Sequence, residues 1–161
     1  MTGAGTVIHV PALIGALLAQ RRTVYSVPHA QCGSGHATGP LMAIPGNHWI
    51  HAYRQEPLDR YPFGTLLVAP CTFNTFNKIA LGLADNLATA MIADGLGVGC
   101  PVIIAPSMNR GLWAHPQTKA SLARLERWGC TIVLPQITER QVTMASIEQI
   151  ISAVSPISTT M

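Results

Sequence analysis

Two short apolar runs, each closed by a proline and followed by an asparagine-bearing turn, constrain the fold of this chain more than any other feature. The first is Thr65-Leu-Leu-Val-Ala69, which runs into Pro70-Cys-Thr-Phe-Asn-Thr-Phe-Asn77. The second is Pro101-Val-Ile-Ile-Ala105, which runs into Pro106-Ser-Met-Asn-Arg-Gly-Leu-Trp113. Neither run alternates apolar with polar residues, the pattern of a strand covered on both faces in a parallel sheet. Parallel strands need crossover helices, and Ile79, Leu83 and Leu87 recur four apart directly after the first turn. Strand, polar turn and helix together aim side-chain amides, hydroxyls and free backbone N–H groups at a ligand beyond the strand ends, and favour an anion there. Cys71, Thr72, Asn74, Thr75 and Asn77 supply the short polar side chains of the first turn.

Turns that follow neighbouring parallel strands meet at one sheet edge. Asn74 and Asn109 each offer an amide donor and a carbonyl acceptor. The pattern leaves open whether they converge on one ligand or each caps its own turn. Met108 either faces a flat aromatic cofactor or packs, Trp113 reads as a lid, a subunit contact or core, with core or contact favoured, and Lys78 reads as an exposed helical lysine. Elsewhere the periodicity predicts a helix over 11–20, a strand over 23–27, a loop over 31–46 and the start of a short helix within 47–55. It then predicts strand 65–69, helix 75–93, strand 101–105, helix 116–128, strand 131–134 and a final helix over 145–154. Gly129 is a C-cap signal for the fourth of these elements.

That order is α/β, with three layers around a mostly parallel, Rossmann-like sheet. Residues 2–6, Thr-Gly-Ala-Gly-Thr, form a glycine loop of the kind that follows a strand, so the expected sheet has its N-terminal strand missing. With 161 residues, one domain over 1–154 and a tail over 155–161 are expected.

Only 11% of the residues are charged and 48% are hydrophobic, so much of the surface is neutral, which suits burial against sister subunits. No apolar run reaches the roughly 18 residues of a membrane span, and the start lacks the pattern of a signal peptide; a cytoplasmic protein is expected. The net charge of +3, with Arg21 and Arg22 the only adjacent basic pair and scattered aromatics, argues against nucleic acid. Cys32, Cys71, Cys100 and Cys130 show neither C-x-x-C spacing nor histidines at zinc-ligand intervals, so they read as reduced thiols without a metal. Among the histidines, His48 and His51 would share a face of the expected short helix, and either would serve as a general base. His115, before Pro116, reads as a cap or surface residue.

These motifs resemble the homo-oligomeric flavin-containing cysteine decarboxylases, a family that includes phosphopantothenoylcysteine decarboxylase and the peptidyl-cysteine decarboxylases of modified-peptide biosynthesis. The family's Pro-Ala-Ser-Ala-Asn-Thr stretch looks like residues 70–75, its following helix like 77–89, and its Pro-x-Met-Asn-x-x-Met-Trp stretch like 106–113. The resemblance implies FMN held by Gly3 and Gly5, by Thr72, Phe73, Asn74 and Thr75, and near Ser107 and Met108. It places Asn74 and Asn109 at positions associated with the substrate carboxylate. It matches the catalytic histidine to His48, with His51 as the rival, and it implies a homotrimer or a homododecamer. Cys71, Thr72 and Phe73 depart from Ala-Ser-Ala, and Leu112 replaces a methionine. The coenzyme A pathway enzymes carry a C-terminal flap cysteine that returns a proton, and no cysteine follows Cys130 here. The implied reaction is therefore FMN-dependent oxidative decarboxylation of the C-terminal cysteine of a precursor peptide, through a thioaldehyde, to an aminoenethiol. The alternatives are phosphopantothenoylcysteine decarboxylation, a flavin prenyltransferase-like activity, or a non-catalytic subunit on the same fold.

Overall fold

The computed structural model describes residues 9–27, 39–53, 55–56, 64–138 and 142–155. Gly3, Gly5, Cys32, the expected N-terminal strand position and the tail beyond 155 lie outside them. The chain runs α1 (Val10–Ala19), β1 (Val24–Ser26), α2 (Gly39–Met42), β2 (Asn47–Trp49), β3 (Leu66–Cys71), α3 (Phe73–Leu81) and α4 (Leu87–Gly97). It continues with β4 (Val102–Pro106), α5 (Arg110–Trp113), α6 (Pro116–Arg127), β5 (Thr131–Ile132), β6 (Gln136–Ile137), β7 (Val142–Thr143) and α7 (Ile147–Val154).

Strands β3, β4 and β5 form a parallel sheet in that order, and β1 pairs in parallel with β2. No hydrogen-bonded ladder joins the two sheets among the described residues. The unbroken apolar run of β4 has a direct cause: all five of its residues are buried, and the four from Val102 to Ala105 alternate between two cores. Val102 and Ile104 join Phe76, Ile79, Ile92 and Leu125 from α3, α4 and α6. Ile103 and Ala105 join Leu13, Leu17, Ile150 and Val154 from α1 and α7. Helices on both faces of a sheet make the three layers.

Three expectations need correction. The single helix over 75–93 is two. Gly82, at φ +69, ends α3 in the left-handed conformation that glycine adopts without a Cβ penalty. Asn86 then starts α4 with a reciprocal capping box, accepting from the Thr89 N–H at 3.1 Å while the Thr89 hydroxyl accepts from the Asn86 N–H. A cap of that kind stabilises by about 1 kcal/mol, enough to favour a fresh start over a strained continuation. Second, residues 47–49 form a strand, not a short helix. Asn47 is tied on both sides, accepting from the Ser26 hydroxyl at 2.7 Å and donating to the Leu41 carbonyl at 3.1 Å. The helical argument that put His48 and His51 on one face therefore fails. Third, Gly39–Met42 form a short helix inside the expected loop over 31–46, and β6 and β7 pair as an antiparallel hairpin that no expectation covered.

Candidate functional site

Strands β3 and β4 end side by side. Cys71 and Pro106 are register partners, and the Ser107 N–H donates to the Cys71 carbonyl at 2.8 Å. Asn74 and Asn109 each lie three residues beyond one member of that pair, so both turns leave the sheet from the same edge.

In the first turn the N-cap is Thr72. Its hydroxyl accepts from the Thr75 N–H at 3.4 Å and lies 3.1 Å from the Thr75 hydroxyl. Asn74 is thereby released from capping; its side chain is half-buried and makes no hydrogen bond among the described residues. The amides at the start of α3 have no intrahelical acceptor, as at any helix N-terminus, and carry the positive end of its dipole.

In the second turn Asn109 caps α5, accepting from the Leu112 N–H at 2.8 Å through Oδ1. The cap uses only the carbonyl half of the side chain. Its amide half has no hydrogen bond among the described residues, and Asn109 is exposed. Thus one asparagine caps its turn and keeps a donor, and the other does not cap at all. Ser107 is buried at the base of this turn, and Met108 belongs to the core beneath it, so Met108 anchors the turn by packing. Trp113 packs partly buried against the same core.

Two of the thiols and the lysine are held away from chemistry. Cys71 is fully buried, and burial pushes its thiol far above the ordinary range, so it stays neutral; Cys130 shifts in the same direction for the same reason. Lys78 donates to Asp85, and that hydrogen bond leads the causes holding the Asp85 carboxyl below its usual range. The pair is a surface contact, not a catalytic amine.

His48 lies within β2, with its ring stacked on Tyr25 at 5.1 Å and 30°. His51 lies two residues past the end of β2; its backbone N–H donates to Gln55 Oε1 at 2.8 Å, and its ring tilts against Trp49 at 6.2 Å. His115 is the N-cap of α6: Nδ1 accepts from the Gln117 N–H at 3.0 Å, which leaves the ring proton on Nε2. Its ring meets Phe73 edge-on at 5.5 Å.

A cavity of about 180 Å³ opens between Ile79, Leu83, Ile92, Leu96 and Trp128, but no residue of either asparagine turn lines it. Among the described residues no group of three or more histidine, cysteine, aspartate or glutamate side chains is placed to hold a metal, and no helix is long and apolar enough to cross a membrane. Sequence reasoning overlooked Thr118 and Ser121, two hydroxyls on the buried face of α6. Their signal is visible: Thr118, Ser121 and Leu125 recur at helical spacing in a segment that also carries Lys119, Arg124, Glu126 and Arg127.

The flavoprotein family profile matches residues 47–159. The chain belongs to the flavoprotein family. Among curated relatives of this flavoprotein, the phosphopantothenoylcysteine decarboxylase of Mus musculus is 32% identical over 99 residues, covering 57% of this chain and 48% of its own length. The chain spans no more than about half the length of the curated relatives first matched. Among solved structures, the peptidyl-cysteine decarboxylase EpiD superposes with a TM-score of 0.77 at 24% identity, covering 92% of this chain and 90% of its own. The FMN-dependent cysteine decarboxylase SpaF superposes at 0.69 and 24% identity, covering 94% and 90%. These likenesses show the fold of the flavoprotein: a three-layer, Rossmann-like α/β architecture.

Proposed function

We propose that this flavoprotein is an FMN-dependent decarboxylase that oxidatively removes the C-terminal carboxylate of a cysteine-terminated precursor peptide, leaving an aminoenethiol. The observation that carries this reading is the Cys71–Pro106 register pair, which brings two turns with unspent asparagine amides to one edge of the sheet. The similarity to cysteine decarboxylases supplies the reaction class.

The donor set suits FMN. Thr72 and Thr75 and the first N–H groups of α3, at Phe73 and Asn74, match a phosphate or the polar edge of a flavin ring, with Ser107 beside them. Gly3 and Gly5 are assigned to the same cofactor on the resemblance. Bound FMN supplies the electron acceptor that decarboxylation of an unactivated amino acid requires. Asn74 and Asn109 donate amide hydrogens to the substrate carboxylate. A neutral amide orients that group without the charge pairing that would hold the ground state too tightly. His51 takes the substrate proton; its place beyond the end of β2 supports it over His48, which lies within the strand. The neutral Cys71 adds no competing nucleophile.

The hairpin sequence between Gln136 and Thr143 contains no cysteine. It therefore offers no thiol to return a proton, which favours release of the enethiol and a peptide substrate over phosphopantothenoylcysteine. Homotrimeric or homododecameric assembly accords with the low charge and with exposed Leu81, Leu83 and Trp128.

Incubating FMN-loaded protein with a peptide ending in cysteine is expected to yield a product lighter by carbon dioxide and two hydrogens, read by mass spectrometry. Phosphopantothenoylcysteine run in parallel separates the two substrates. Turnover of that compound alone would move the function to coenzyme synthesis, and no turnover of either would defeat the decarboxylase reading.

A further inference from the structure

Behind the two asparagine turns, two buried hydroxyls share one helix. On α6, Thr118 and Ser121 are 2% and 1% exposed and lie one turn apart on the same face. The Ser121 hydroxyl donates to Asn77 Oδ1 at 2.6 Å and accepts from Gln117 Nε2 at 3.1 Å. Asn77, itself buried, donates from Nδ2 to the Phe73 carbonyl at 2.8 Å. An unbroken line of hydrogen bonds thus runs from the first turn of α6 to the residue between Thr72 and Asn74. Thr118 acts on the other turn. Its hydroxyl donates to the Leu112 carbonyl at 2.6 Å, and the N–H of that same Leu112 is the group that Asn109 caps.

An apolar stripe would pack α6 against its neighbours just as tightly. Hydrogen bonds add direction, and in a buried setting they are costly to break, so they hold one arrangement in preference to several of similar packing. Each donor in this set has its acceptor; no buried side-chain nitrogen or oxygen lacks a partner among the described residues.

We propose that Thr118 and Ser121 are positioning residues, one hydroxyl for each turn, which from a single rigid helix fix the separation of Asn74 and Asn109. The effect on turnover rests on the decarboxylase reading; the mechanical link does not. A shift on the order of an ångström at such a site costs up to about 100-fold in rate.

The experiment uses the full chain loaded with FMN and combines amide hydrogen exchange with steady-state kinetics on a cysteine-terminated peptide. Thr118→Val removes the hydroxyl and keeps the shape. It is expected to raise exchange at the Leu112 and Trp113 amides and to lower kcat about ten-fold, while Thr118→Ser restores both. Ser121→Ala leaves the Asn77 carbonyl orphaned and lowers Tm. Combining it with Asn77→Leu removes the orphan, so Tm recovers, yet kcat stays about ten-fold down because α3 is no longer tied to α6 through Asn77 and Ser121. Recovery of kcat together with Tm in the double variant would show a purely structural network and overturn the proposal. Unchanged exchange at Leu112 and Trp113 in Thr118→Val would overturn it too, even if the parent protein turns over no cysteine peptide. A parent protein that forms no product from the peptide would instead be a failure of the decarboxylase reading, and the exchange result would still decide the mechanical link.

Discussion

Asn109→Asp is expected to cut kcat/KM on a cysteine-terminated peptide by about 100-fold or more and to leave the melting temperature near that of the parent. The substitution separates two jobs held by one side chain. The cap on α5 needs only an oxygen facing the Leu112 N–H, and aspartate provides one. What disappears is the amide donor, replaced by an anion that repels the substrate carboxylate instead of binding it. Asn109→Ala loses both jobs, so it is expected to lose about 1 kcal/mol of stability as well. Thermal unfolding and steady-state kinetics on the two variants check this together. Full activity in a stable Asn109→Asp protein would show that the amide never meets a carboxylate.

The other large effect is expected at the histidines. His51→Asn should lower kcat by about 100-fold or more, the usual contribution of a positioned general base. His48→Asn should leave kcat close to that of the parent, because the His48 ring already packs on Tyr25 within a strand. Asparagine suits the test, since it keeps a polar planar group while losing the ability to take a proton. Both variants are read at saturating peptide, so that weakened binding does not pass for lost chemistry. A silent His51→Asn beside an inactive His48→Asn would return the base to the strand, where the family resemblance first placed it.

The strand β4 and its turn were legible from sequence because burial on both faces writes itself as an uninterrupted apolar run. The pairing of the asparagine turns followed from the same logic, since each run ends in a proline followed within four residues by an asparagine; the irregular register that pairs Cys71 with Pro106 was not visible. Division of labour within the turns was not legible. Thr72, not Asn74, took the cap in the first turn, whereas Asn109 took it in the second, and both residue types are good caps. The break between α3 and α4 was hidden because Leu83 and Leu87 continue a helical spacing across Gly82, although Leu83 is exposed. The strand at 47–49 was missed because its three residues, Asn-His-Trp, have no apolar alternation; their order comes from Ser26 and Leu41, more than five residues away in sequence. The hydroxyls of α6 were overlooked, since only the tertiary fold brings Ser121 against Asn77, 44 residues earlier.

The most direct test of the paired-turn flavin site is anaerobic mixing of the FMN-loaded protein with one equivalent of a cysteine-terminated peptide, followed by visible absorption. The oxidised-flavin band is predicted to bleach in proportion to the aminoenethiol formed, and to persist with a peptide ending in serine. An unbleached flavin beside the cysteine peptide, or a protein that takes up no FMN at all, would contradict the account.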